Sequence, residues 1–81
     1  MRAEDLRELL DVKPFVPIRL HLSDGKYYDI RHPELVLLAR TVMDIGVARR
    51  VNGRVVDKIV RVALLHVVRA EPVSERFTRA S

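Results

Sequence analysis

The sequence predicts a mainly β fold: five to six short antiparallel strands bent into a small barrel, with a short N-terminal helix and a 3₁₀ turn before the last strand. Three observations predict it. A helical apolar period over residues 3–10 gives way, after Phe15, to a period of two. Turn signals at Asp24-Gly25 and Asn52-Gly53 interrupt the apolar runs. The strands between them are short and several, and such strands hide their edges best by closing up.

Residues 3–10, AEDLRELL, read as the helix. Leu6, Leu9 and Leu10 make one apolar stripe, and Glu4 and Asp5 favour the positive end of the helix dipole. Pro14 and Pro17 forbid continuation. Two turns are too few to be stable alone, so the helix must pack on something.

Ile18, Leu20 and Leu22 alternate with Arg19, His21 and Ser23, the pattern of a half-buried strand. Parity then selects the loop. A two-residue Asp24-Gly25 turn would pair Leu20 with Asp29 and Ile18 with Arg31, setting charge against the core. A three-residue loop, Ser23-Asp24-Gly25, pairs Leu22 with Lys26, Leu20 with Tyr28 and Ile18 with Ile30. Gly25 then takes the left-handed position of a type I turn with a G1 bulge. A one-residue slip would invert every side chain, so this register is expected. On the outer face Arg19 lies opposite Asp29 and His21 opposite Tyr27.

This register bears on the polar stretch HLSDGKYYDIRHPE, residues 21–34. Its histidines and carboxylates scatter over a strand face, a turn tip and a His32-Pro33 corner. It therefore reads as a structural hairpin rather than a metal or catalytic cluster built on His21, His32 and Glu34.

Leu35 to Ala39 is expected as a short strand buried on both sides, and Thr41 to Ala48 as the next, with Gly46 permitting a bulge or tight bend. Asn52-Gly53 marks a hairpin tip carrying Arg49, Arg50 and Arg54. Lys58 to Val62 returns as a strand. Ala63 to His66 breaks the alternation and reads as a 3₁₀ turn whose leucines dip into the core. His66 is expected partly buried, with its ring nitrogens on backbone partners. Val67 to Glu71 is the last strand, ended by Pro72. Residues 1–72 read as a single domain and 73–81 as a flexible polar tail.

This element order resembles the SH3-like barrels, and more closely the Sm-like variant with its N-terminal helix. LHLSDGKYYDI is similar to the first Sm signature, and IVRVALLHVV sits where the second would be. Two departures stand out. Val62-Ala63-Leu64 occupies the place of the second signature's arginine, glycine and polar residue. His32-Pro33-Glu34 replaces the first signature's base-binding residue. At closer range, PFVPIRLHLSDGKYYDIRHPELVLLAR and VALLHVVRAEP are similar to a group of small bacterial proteins marked by the words PFxP(F/I)R(I/L)HLSDG and D(I/V)RHPE. That resemblance implies a bacterial origin and no particular activity.

Composition narrows the function classes. A chain of 81 residues makes one domain and buries only ~60–65% of its unfolded surface. No cysteine is present to staple the fold, hold zinc or attack a substrate. No serine sits in a nucleophile elbow, and the three glycines are isolated, so no phosphate-cradling loop is expected. A domain this small leaves little room for a closed ligand pocket of ~300 Å3 or more. Acids among the first ten residues break any signal-peptide apolar core, and no apolar run approaches the ~20 residues of a membrane helix. A cytoplasmic location is expected.

The net charge is +4, from 12 arginines and 3 lysines against 11 acids. Residues 1–11 sum to −2 and residues 40–61 to +4. A basic block of that kind draws phosphate backbones or acidic partners. Arginine is planar and bidentate, and tyrosine offers a face for stacking bases. The candidate binding residues are therefore Arg19, His21, Tyr27, Arg31, Arg49, Arg50 and Arg54. The expected function is a non-enzymatic binding or assembly module contacting RNA, DNA or an acidic protein. No cofactor, metal, membrane or small-molecule substrate is expected. The alternative is a homo-oligomeric scaffold that pairs its strand edges without nucleic acid.

Overall fold

A computed structural model of the chain describes residues 1–47 and 56–73. The fold is mainly β. A helix, α1 (Ala3–Asp11), precedes six strands: β1 (Ile18–Leu22), β2 (Tyr27–Ile30), β3 (Val36–Leu38), β4 (Val42–Val47), β5 (Lys58–Ala63) and β6 (Val67–Pro72). They form two antiparallel three-stranded sheets, ordered β2-β1-β6 and β3-β4-β5.

The β1–β2 register is the one parity demands: Ile18 opposite Ile30, Arg19 opposite Asp29, Leu20 opposite Tyr28, His21 opposite Tyr27. The Leu22 N–H donates to the Lys26 carbonyl at 2.9 Å, and the Gly25 N–H to the Leu22 carbonyl at 3.0 Å. Gly25 sits at φ +89°, where a side chain would strain the backbone. The Asp24 carboxylate accepts the Lys26 N–H at 2.9 Å and stiffens the tip.

The same alternation buries one side of every strand. Ile18, Leu20 and Ile30 from the first sheet meet Met43, Ile45 and Val62 from the second in one core, joined by Val67, Leu64 and the α1 residues Leu6 and Leu10. Leu6, Leu20 and Met43 are fully buried. Burying one such side chain stabilises by about 1.5–3 kcal/mol, and this is what holds a two-turn helix that has no side-chain cap.

Several expectations are corrected. The barrel is not closed: among the described residues no ladder joins the two sheets. Pro33, which has no N–H, starts an unexpected 3₁₀ turn (Pro33–Leu35) that separates β2 from β3. The turn expected at Ala63–His66 is present as Leu64–His66 and separates β5 from β6. The Leu64 N–H donates to the Thr41 carbonyl at 3.0 Å, which only extends the β4–β5 ladder; the two sheets are joined through their shared core. The strand beginning near Leu35 is not buried on both sides, because it is a sheet edge whose middle residue, Leu37, is 72% exposed.

Gly46 makes no bulge; the β4–β5 register runs through it unbroken. Its value is closeness, since an added Cβ would lie 3.0 Å from Val56 Cγ1 and 3.3 Å from the Leu35 carbonyl. The irregularity is in β6, where Leu22 pairs with Val67 but His21 pairs with Arg69, leaving Val68 as the extra residue. The Asn52-Gly53 hairpin lies outside the described residues, as does the polar tail beyond Val73. Val73 itself donates its N–H to the Pro17 carbonyl at 2.9 Å.

Only one leucine of the second 3₁₀ turn reaches the core: Leu64 is 3% exposed and Leu65 is 84% exposed. Leu64→Ala should therefore cost about 3 kcal/mol in denaturant unfolding, and Leu65→Ala about 0.5 kcal/mol or less. Equal losses would contradict the packing.

Candidate functional site

Strand β1 is the middle of its sheet, so its outward residues have neighbours on both sides. Arg19 stands between Asp29 of β2 and Glu71 of β6, and His21 between Tyr27 and Arg69. Six polar and aromatic side chains thus share one face, two from each strand.

Their contacts are specific. Arg19 Nε and Nη2 donate to the two oxygens of Asp29 at 2.7 and 3.0 Å, a bidentate pair. The Arg19 guanidinium carbon also lies 4.2 Å from the centre of the Tyr27 ring, a cation–π contact between diagonal neighbours. The His21 and Tyr27 rings are 6.4 Å apart and tilted by 44°. On the other flank His21 Nε2 and Glu71 Oε1 lie 2.6 Å apart. An ionised Glu71 can only accept, so the imidazole N–H is the donor. Arg69 Nε approaches the second Glu71 oxygen at 3.9 Å.

These contacts tune the charges. The hydrogen bond from His21 holds the Glu71 carboxyl below the usual carboxylate range, and the positive charges of Arg69 and Arg19 add to it. The hydrogen bond to Asp29 raises the Arg19 pKa further. The face carries two arginines and two carboxylates, so it is close to neutral. Arg19 is not a free phosphate fork; its charge is spoken for by Asp29. Tyr27 is exposed, at 53%, as is Arg69, and Arg19 supports the tyrosine ring from one side.

Of the seven expected binding residues, the structure brings Arg19, His21 and Tyr27 together. Arg31 follows β2, exposed and without a carboxylate partner among the described residues. Arg49, Arg50 and Arg54 lie outside the described residues. Sequence reasoning missed Arg69 and Glu71. Their i, i+2 spacing places both on one face of a strand, but nothing local says that this strand joins β1.

The two histidines of the polar stretch 21–34 do not converge. His21 bonds Glu71, whereas His32 Nδ1 faces Glu34 at 3.6 Å. Among the described residues no group of three or more His, Cys, Asp or Glu is placed to hold a metal ion. His66 is corrected as well: it is exposed, and its Nδ1 lies 3.3 Å from the Ser23 hydroxyl rather than on backbone. No described helix is long and apolar enough to cross a membrane.

A second ion pair lies on the outer face of the other sheet, where Arg61 is bidentate to Asp44 at 2.8 and 3.0 Å and lowers its pKa. Leu37 lies opposite Asp44 there, and Ile59 opposite Gly46; both are well exposed.

A lowered folded-state pKa means that Glu71 stabilises the fold above its ordinary value of about 4.3, and that this stability is lost as pH falls through the lowered value. His21→Ala should move the Glu71 pKa upward in a carbon-detected NMR titration and weaken the acid dependence of stability. An unchanged Glu71 titration would contradict the contact.

Comparison with protein-family models, curated proteins and solved structures finds no match to this chain.

Proposed function

We propose that this chain is a non-enzymatic binding module of the SH3-like or Sm-like kind that contacts single-stranded RNA or DNA. The observation that carries the reading is Tyr27: an exposed ring on a sheet face, backed at 4.2 Å by an arginine that Asp29 holds in place. A ring fixed in this way loses little freedom when a base stacks on it. Base–aromatic stacking contributes about 1–3 kcal/mol and tolerates any sequence.

Charge supports the same reading. The described residues contain ten Lys/Arg and ten Asp/Glu, so the whole excess of four falls in residues 48–55 and 74–81. Residues 48–55 hold Arg49, Arg50 and Arg54 and no acid. Long-range attraction would come from that segment and from Arg31, and stacking from Tyr27.

A second reading has its own observation. Leu37 and Ile59 are 72% and 67% exposed on the outer face of the second sheet. Such residues suit a protein-interaction or homo-oligomeric scaffold that binds no nucleic acid.

Fluorescence anisotropy of a labelled single strand of about 12 nucleotides separates the two. Binding is expected at ~50 mM salt, with affinity falling linearly on a log–log plot. Replacing Arg49, Arg50 and Arg54 together by Ala should reduce that slope by about 2. Tyr27→Ala should weaken binding by about tenfold. No binding at low salt, together with a defined oligomer in sedimentation, would favour the scaffold and remove the nucleic-acid reading.

A further inference from the structure

The tip of the β1–β2 hairpin leans against the Leu64–His66 turn, where the Ser23 N–H donates to the His66 carbonyl at 2.9 Å. Between them opens a surface cleft of about 380 Å3, within the range of small-ligand sites. Its size was not expected from a chain this short. Leu22, Val62 and the half-buried Tyr28 give it an apolar side. Tyr28 points away from the face that carries Tyr27, because successive residues of a strand alternate.

Part of its polar side is uncommitted. The Lys26 ammonium has no carboxylate partner among the described residues. The Ser23 hydroxyl engages His66 Nδ1, which leaves the other ring nitrogen without a protein partner there. Arg61 also lines the cleft, but Asp44 already holds its guanidinium. One acid is present: Asp24 gives one oxygen to the Lys26 N–H and keeps the other as an acceptor.

We propose that this cleft binds a small hydroxylated phosphate monoester. Its phosphate would lie among Lys26, Ser23 and His66. A ligand hydroxyl would donate to Asp24, and the ligand ring would cover the apolar side. Asp24 makes the site selective. It repels a bare anion but accepts from a ligand that carries a hydroxyl beside its phosphate. The proposal is independent of the Tyr27 face and stands or falls separately from nucleic-acid binding.

The test is an amide NMR titration of the full chain with ribose 5-phosphate, AMP and inorganic phosphate, each to about 10 mM. Saturable shifts are expected at residues 23–26 and 64–67, with ribose 5-phosphate at least about tenfold tighter than inorganic phosphate. If AMP binds tighter still, the monoester is of the nucleotide kind; if it binds equally, the sugar phosphate alone is read. Lys26→Gln and His66→Gln are exposed changes that spare the core, and each should weaken binding by about tenfold. Absence of saturation, shifts centred on Arg19 and Tyr27, or indifference to both variants would overturn the proposal.

Discussion

The left-handed backbone at Gly25, φ +89°, closes the β1–β2 hairpin on the three-residue loop Ser23-Asp24-Gly25, and the parity of that loop decides where both strands send their side chains. With three residues, Ile18, Leu20 and Ile30 share the core. With two, Asp29 and Arg31 would face it, and burying unpaired charge costs more than a chain of 81 residues could supply. The loop therefore needs glycine for its angle, and the strands need the loop for their register.

The outer face is the other half of the same choice. Because β1 is central, its wet residues meet partners from β2 and β6 at once. Arg19 takes Asp29 and backs Tyr27; His21 takes Glu71. The face is thus held by contacts within the protein, and of its six residues Tyr27 and Arg69 are left exposed. A charge-balanced, stiff face suits stacking better than bulk attraction, and the unbalanced arginines are found elsewhere in the chain.

What was legible in the sequence was local. Leu6, Leu9 and Leu10 declare a helix stripe, and the hairpin register follows from parity and one glycine. The break at Ala63–His66 also announced its turn. What was not legible depended on distant partners. Glu71 sits 50 residues from His21, and no spacing rule links them. Leu37 and Leu65 are apolar in type but exposed in place, because edge position and turn geometry rather than residue type set their burial. The cleft beside Lys26 forms only where the hairpin tip meets a turn some forty residues later, joined by the Ser23–His66 contacts.

The hairpin register can be measured directly. In an antiparallel pair, residues opposite each other without mutual backbone hydrogen bonds bring their α-protons close together. Leu22 and Lys26 are hydrogen-bonded, so His21 with Tyr27 and Arg19 with Asp29 are pairs of the close kind. A nuclear Overhauser spectrum should show strong α-proton contacts between His21 and Tyr27 and between Arg19 and Asp29. Strong contacts between Leu22 and Tyr27 or between Leu20 and Asp29 instead would mean the two-residue turn, and the account of both the core and the outer face would fail with it.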